Sequence, residues 1–224
     1  MKQSINRIKF IAISILFVNI FLFSACKKDV KTYEISGSIS DPQLHINVSG
    51  VKVSLKASKV QSGVYNPTYT EIQSTTTSSD GSFSFTVEHE NVEGYRLDFT
   101  KTDYFDNTKD LSTDDVQNGN ATNIKMDFIP IAKIKLIVKN TSPQSNDDKI
   151  EFRFSNVSVK GKDCWTNDPI TGIGPTYSFT KTGQVSGNKD MYLEWVVVKN
   201  GSQHSYTDTI HSEAFKLKTY NINY

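Results

Sequence analysis

The sequence predicts an all-β protein: two tandem β-sandwiches behind a cleaved export signal. Three observations carry that expectation. From Tyr33 onward apolar residues recur at every second position, the period of strands with one wet face. Asp80-Gly81 lies between two such runs, and an Asp-Gly pair supplies the positive φ of a tight hairpin turn. The alternation then restarts past Pro130, which marks a boundary near that residue.

In chain order, the first runs are Tyr33-Ile35-Gly37-Ile39, Val51-Val53-Leu55, Phe83-Phe85-Val87 and Tyr95-Leu97-Phe99, each interleaved with polar residues. Thr70–Thr77 precedes the Asp-Gly turn, and Ile124, Met126 and Phe128 close the set. One apolar and one polar face per run suit antiparallel sheets packed on one side. Beyond the boundary come Ile134-Leu136-Val138, Ile150-Phe152-Phe154, Tyr177-Phe179, Met191-Leu193-Trp195 with Val196–Val198, and Phe215, Leu217 and Ile222. About seven short runs in the 92 residues of 133–224 fit a second, immunoglobulin-like sandwich. Only Ile131-Ala132 is left to connect the halves, so they are expected to sit close, with some hinge freedom. The abundant Ser and Thr disfavour helix interiors, and no helix of useful length is expected after residue 26.

The front of the chain reads as an address. Residues 1–9 carry Lys2, Arg7 and Lys9 and no acid, and residues 10–23 are apolar apart from Ser14 and Asn19. Fourteen residues at ~1.5 Å each reach about 21 Å, short of the ~30 Å hydrocarbon core. A charged start, a short apolar stretch and a small-residue break describe a secretory signal peptide over 1–25. Phe23-Ser24-Ala25-Cys26 resembles the bacterial lipobox, with Phe23 where Leu is usual. That resemblance implies cleavage before Cys26, a diacylglycerol on its thiol and an acylated new amine, with residues 26–32 as a polar tether. Lys27 stands where an Asp would resemble an inner-membrane retention signal, which implies a lipid anchor in the outer membrane. The periplasmic and the cell-surface face both stay open.

Within 33–129, several motifs resemble the carboxypeptidase regulatory-like domain. They are Ile35-Ser36-Gly37, Ser49 through Leu55, Thr77 through Phe85, and Gly94 through Phe99. Asp103-Tyr104-Phe105 takes the place of the family's Gly-Tyr pair, and residues 57–71 are an insertion. The resemblance implies a seven-stranded transthyretin-like sandwich and an accessory, binding or spacer role, with nothing catalytic. Residues 133–224 resemble no family.

Charge excludes one class of partner. Residues 26–224 hold 22 basic and 24 acidic side chains, which is no footprint for nucleic acid. The histidines His45, His89, His204 and His211 make no His-Glu-x-x-His pattern, and His204 and His211 are expected to straddle a turn. Cys164 has no sequence-adjacent base and reads as a small buried apolar residue. Asp103, Asp106, Asn107 and Asp110, followed by Asp114 and Asp115, form an acidic stretch read as a polar connection. Its oxygens are a candidate calcium set, although the spacing is not that of an EF-hand. Trp165, in the loop-like 160–176 stretch, and Tyr177 are candidate ligand anchors, because an exposed indole stacks on sugar C–H faces. Trp195 is expected inside or at the junction. The expected function is a non-catalytic, lipid-anchored binding or adhesion module for a glycan or protein. The alternative is a structural accessory subunit of an outer-membrane or periplasmic complex.

Overall fold

A computed structural model describes residues 30–61, 64–65 and 68–224, so the expected signal peptide over 1–25 and the expected lipidation site Cys26 lie outside the described residues. The described chain is all-β apart from one short helix.

The first core runs from Ile35 to Phe128. One sheet carries β1 (Thr32–Asp41), β2 (Ile46–Asn47), β6 (Ser82–Glu88) and β9 (Ile124–Asp127), with β9 parallel to β1. The other carries β3 (Lys52–Gln61), flanked by β4 (Val64–Tyr65) and β5 (Thr70–Thr76) on one side. On the other side follow β7 (Val92–Thr100) and β8 (Asn107–Ser112). The strict alternation of β6 buries Phe83, Phe85 and Val87 while Ser82, Ser84 and Thr86 stay wet. Gly37 is required where β9 closes on β1: a Cβ there would lie 2.2 Å from the Ile124 carbonyl oxygen.

The Asp80-Gly81 turn is tight but joins no hairpin ladder. Ser78 N–H donates to Ser82 O at 3.0 Å, and Gly81 takes φ 77°. Asp80 accepts from the Ser78 and Ser82 hydroxyls, which hold its carboxyl down at about 2. However, β5 pairs with β3 and β6 with β1, so the turn carries the chain from one sheet to the other.

Two further departures concern the acidic stretch. Residues 107–112 are a strand rather than a connection, and Thr113–Gln117 form a helix, α1. Ser112 caps α1: Asp115 N–H donates to Ser112 Oγ, and the Asp115 carboxylate accepts from Ser112 N–H, a reciprocal box.

The second core runs from Ala132 to Ile222 between sheets of three and four strands. β10 (Ile131–Lys139) pairs antiparallel with β13 (Ser178–Ser186) and parallel with β16 (Leu217–Asn223). Facing them are, in order, β12 (Ile170–Ile173), β11 (Lys149–Phe154), β14 (Lys189–Lys199) and β15 (Ser202–Ser212). Buried Ile134, Leu136 and Val138 of β10 meet Ile150, Phe152, Phe154, Met191 and Leu193 from the other sheet.

The junction between the cores is no free connection. Ile131-Ala132 already belong to β10. Ile131 N–H donates to Asp103 O at 2.8 Å, Gly187 N–H to Pro130 O at 2.7 Å, and Phe215 N–H to Ile131 O at 2.8 Å. The Phe215 ring packs edge-on against Tyr104, 5.3 Å between centroids. These bonds bring residues from both cores onto two consecutive positions, Pro130 and Ile131.

Candidate functional site

The two expected ligand anchors have structural places. Trp165 is 2% exposed, stands edge-on to Phe154 and donates from Nε1 to Ile134 O at 3.0 Å. Its indole lies across Gly183, where a Cβ would come within 2.7 Å of Cδ1, so it is a core residue and not a platform. The segment carrying it looks like a loop in sequence, but its backbone bridges to β13 through Trp165 N–H to Gln184 O, 3.0 Å, and this tucks the ring inward. Neighbouring Cys164 is buried too, and desolvation pushes its thiol up. Tyr177 is half-buried, its ring pressed on Gly172 of β12, and burial raises its phenol.

The candidate calcium set is dispersed. Asn107 and Asp110 sit three apart in β8 and so face opposite sides of the sheet. Asp110 is held by Arg96, Nε to Oδ1 2.6 Å, and that guanidinium keeps its carboxyl low. Asn107 Oδ1 accepts from Thr108 N–H at 2.8 Å. Asp103 turns the chain at φ 66°, and Asp106 is exposed. Among the described residues, no three or more His, Cys, Asp or Glu side chains gather as a metal set. His204 and His211 do not straddle a turn: both lie in β15, on opposite faces, and His211 Nδ1 meets Asp190 Oδ1 at 2.7 Å.

The strand count around the second core creates the site. Four strands face three, and the inward side of the first half of β15 is left uncovered. Met191, Leu193 and Val197 point into the core from β14, so Trp195 shares their face. Directly across the ladder stands Tyr206 of β15. The two rings stack at 5.4 Å with 15° between planes. Trp195 is half-buried against the core, and Tyr206 is 46% exposed. They wall a cleft of about 530 Å³, bounded opposite by Asn221, Asn223 and Tyr224 of the β16 end.

The rim of this cleft is fixed. Lys199 Nζ donates to Ser142 O at 2.6 Å and Asn140 Oδ1 at 3.0 Å, lies 4.0 Å from the buried Asp148 carboxylate, and sits over the Tyr224 ring at 5.0 Å. Asp148 accepts from Gln144 N–H, Asn140 Nδ2, and the N–H and hydroxyl of Ser145, and these donors lower its carboxyl. Asn200 Nδ2 reaches Gln144 Oε1 at 3.3 Å. Burial, Tyr177 and Asp148 push the Tyr224 phenol up to about 12. With Lys199 engaged, the cleft offers aromatic faces, the β16 end at Asn221 and Asn223, and the imidazole of His204. Sites of this size with aromatic walls and few polar groups suit small organic ligands.

Sequence reading misses Tyr206 and His204 because one face of β15 is uncovered and its run looks merely polar. The available signal is Asn200-Gly201, a strong hairpin pair, here at φ 46° and 74°.

Neither protein-family models nor curated proteins match the chain. Among solved structures, it is similar to a streptococcal ancillary pilin at 14% identity and TM-score 0.31, over 88% of this chain. The chain spans 63% of that pilin. It is also similar to the shaft pilin SpaA from Lactobacillus rhamnosus GG (D295N mutant) at 10% identity and TM-score 0.33, over 84% of this chain and 96% of that one.

Proposed function

We propose that the protein is a lipid-anchored, non-catalytic binding module of the cell envelope that takes a glycan in the cleft between β15 and β16. The observation that carries this reading is the Trp195–Tyr206 stack at the mouth of the cleft. Stacked aromatic rings suit the C–H faces of a sugar, and the His204 imidazole can bond its hydroxyls. Lys199 is spent on its own loop, which favours a neutral ligand over an anion. The Cys26 lipid and the tether would hold this module at the outer membrane, and the first sandwich would stand between tether and cleft.

Binding of full-length protein to a glycan array, against Tyr206→Ala, tests the reading. Tyr206 is exposed, so truncation leaves the core intact. A glycan class retained by wild type and lost by the variant is expected. No class bound, or equal binding by both, overturns it. The anchor is tested separately: Cys26→Ala should leave the membrane fraction, and retention there refutes lipidation. The accessory-subunit reading draws on a different feature, the open edge of β15.

A further inference from the structure

We infer that β15 is the seam of a two-fold dimer, pairing antiparallel with β15 of a second copy so that one sheet runs through both molecules. The strand ends its sheet, is eleven residues long, keeps register with β14 without a bulge, and is exposed from residue 202 to 209. Exposed edges invite strand addition, and proteins normally blunt them with lysine, proline, bulges or shortness. The other edge strands around the second core are blunted: β12 has four residues, β13 carries Lys181 and β16 carries Lys218. Ser202–Ser212 contains no lysine, arginine or proline.

The geometry selects the register. The two-residue Asn200-Gly201 turn closes on the pair Lys199↔Ser202, which is hydrogen-bonded in such hairpins. Even-numbered residues of β15 therefore bond to β14, and Gln203, Ser205, Thr207, Thr209 and His211 direct their backbone outward. Two bonds agree: Ser212 O accepts on the inner side from Asn188 N–H, whereas Thr209 N–H meets the Asp208 side chain, Oδ1 at 2.7 Å. Self-pairing must set odd residues against odd. With the two-fold axis at Tyr206, Ser205 bonds to Thr207 of the second copy and the reverse. His204 then faces Asp208 of the second copy, twice, around a Tyr206 pair. An axis at Asp208 sets carboxylate against carboxylate, and one at His204 sets imidazole against imidazole. An axis at Ser205 or Thr207 leaves Asp208 opposite a neutral residue. An imidazole N–H can donate to a carboxylate, whereas two carboxylates facing each other across a ladder repel, so the Tyr206 axis wins. The inference is independent of the glycan reading.

Oxidative crosslinking of the full chain in membranes tests it. In His204→Cys/Asp208→Cys the two thiols of one chain are four residues apart, roughly 13 Å, beyond the ~7 Å limit for a disulfide. Any bond between them therefore joins two copies. Tyr206→Cys is the single-site check, across a non-bonded pair at ~4.5 Å. Ser202→Cys is the control, since on this axis it faces Ile210 of the second copy and lies far from its own mate. A reducible dimer at least tenfold stronger for the double variant than for the control is expected, with Tyr206→Cys behaving alike. A monomeric double variant, or a control that crosslinks as well, overturns the inference. Should Tyr206→Cys fail to fold, the double variant alone decides, because both its positions are exposed.

Discussion

The chain has two tryptophans, and the structure gives them opposite roles, which makes the assignment measurable. Trp165→Ala removes a fully enclosed indole, and emptying such a site costs about 3–5 kcal/mol. That cost includes the Ile134 carbonyl, which loses the Nε1–H donor at 3.0 Å. At ~2–4 °C per kcal/mol for a body of this size, the Tm falls by about 6–20 °C. Trp195→Ala gives up one stacked pair, about 0.5–1.5 kcal/mol, and part of its contact with the core, since the ring is only half-buried. The assay uses single-tryptophan proteins. Trp195→Phe leaves Trp165 alone and should emit to the blue with weak acrylamide quenching. Trp165→Phe leaves Trp195 alone and should emit further to the red and quench readily. Equal quenching of the two, or a larger Tm loss for Trp195→Ala than for Trp165→Ala, would refute the exchange of roles.

Other predictions follow from close contacts and charge. Gly37→Ala places a Cβ 2.2 Å from backbone, and its cost should reach or exceed the ~3 kcal/mol top of the usual overpacking range, read as a drop in the urea midpoint. Gly183→Ala meets the Trp165 ring at 2.7 Å and should cost about 1–3 kcal/mol by the same assay; a neutral result would place the indole elsewhere. Asp148 has a native carboxyl lowered first by the Gln144 N–H and then by Asn140 and Ser145. Its contribution is therefore present above the unfolded value of ~3.9 and is lost as pH falls through the lower native value. Asp148→Asn should lower the urea midpoint at neutral pH and converge with wild type in acid; a gap that does not narrow would mean the carboxylate charge is not what holds the 140–148 loop.

What was legible in the sequence is what burial writes into it. β1, β6, β7, β10 and β11 alternate because each has one dry face, and Phe83-Phe85-Val87 or Ile150-Phe152-Phe154 announce that face directly. β8 was hidden: of Asn107–Ser112 only Leu111 is buried, so a strand read as an acidic connection. The short helix carried a signal, the Ser112-to-Asp115 box, that a search for long apolar periods passes over. The Asp80-Gly81 pair did make a tight turn, but a turn motif says nothing about which sheets its two strands join. That depends on whether β6 finds its partner in β1 or in β5, a long-range choice.

The tryptophans show why a site is harder to read than a core. Trp165 lies among polar residues and Trp195 among Val, Leu and Tyr, so local composition assigns the first to the surface and the second to the interior. What inverts the assignment is remote. Trp165 is drawn in because Gly183, eighteen positions on, leaves room for an indole on β13. Trp195 is left half open because β10 has only β16 beyond it, so nothing in the opposite sheet covers β15. The missing strand opens the cleft, and because β15 also ends its own sheet, one strand has both an open face and an open edge. A substitution that added a Lys at Thr207, on the outward-bonding series, should therefore block pairing while leaving Tyr206 and glycan binding in place. Loss of both together would mean that the cleft and the seam are one site, completed only by a second copy.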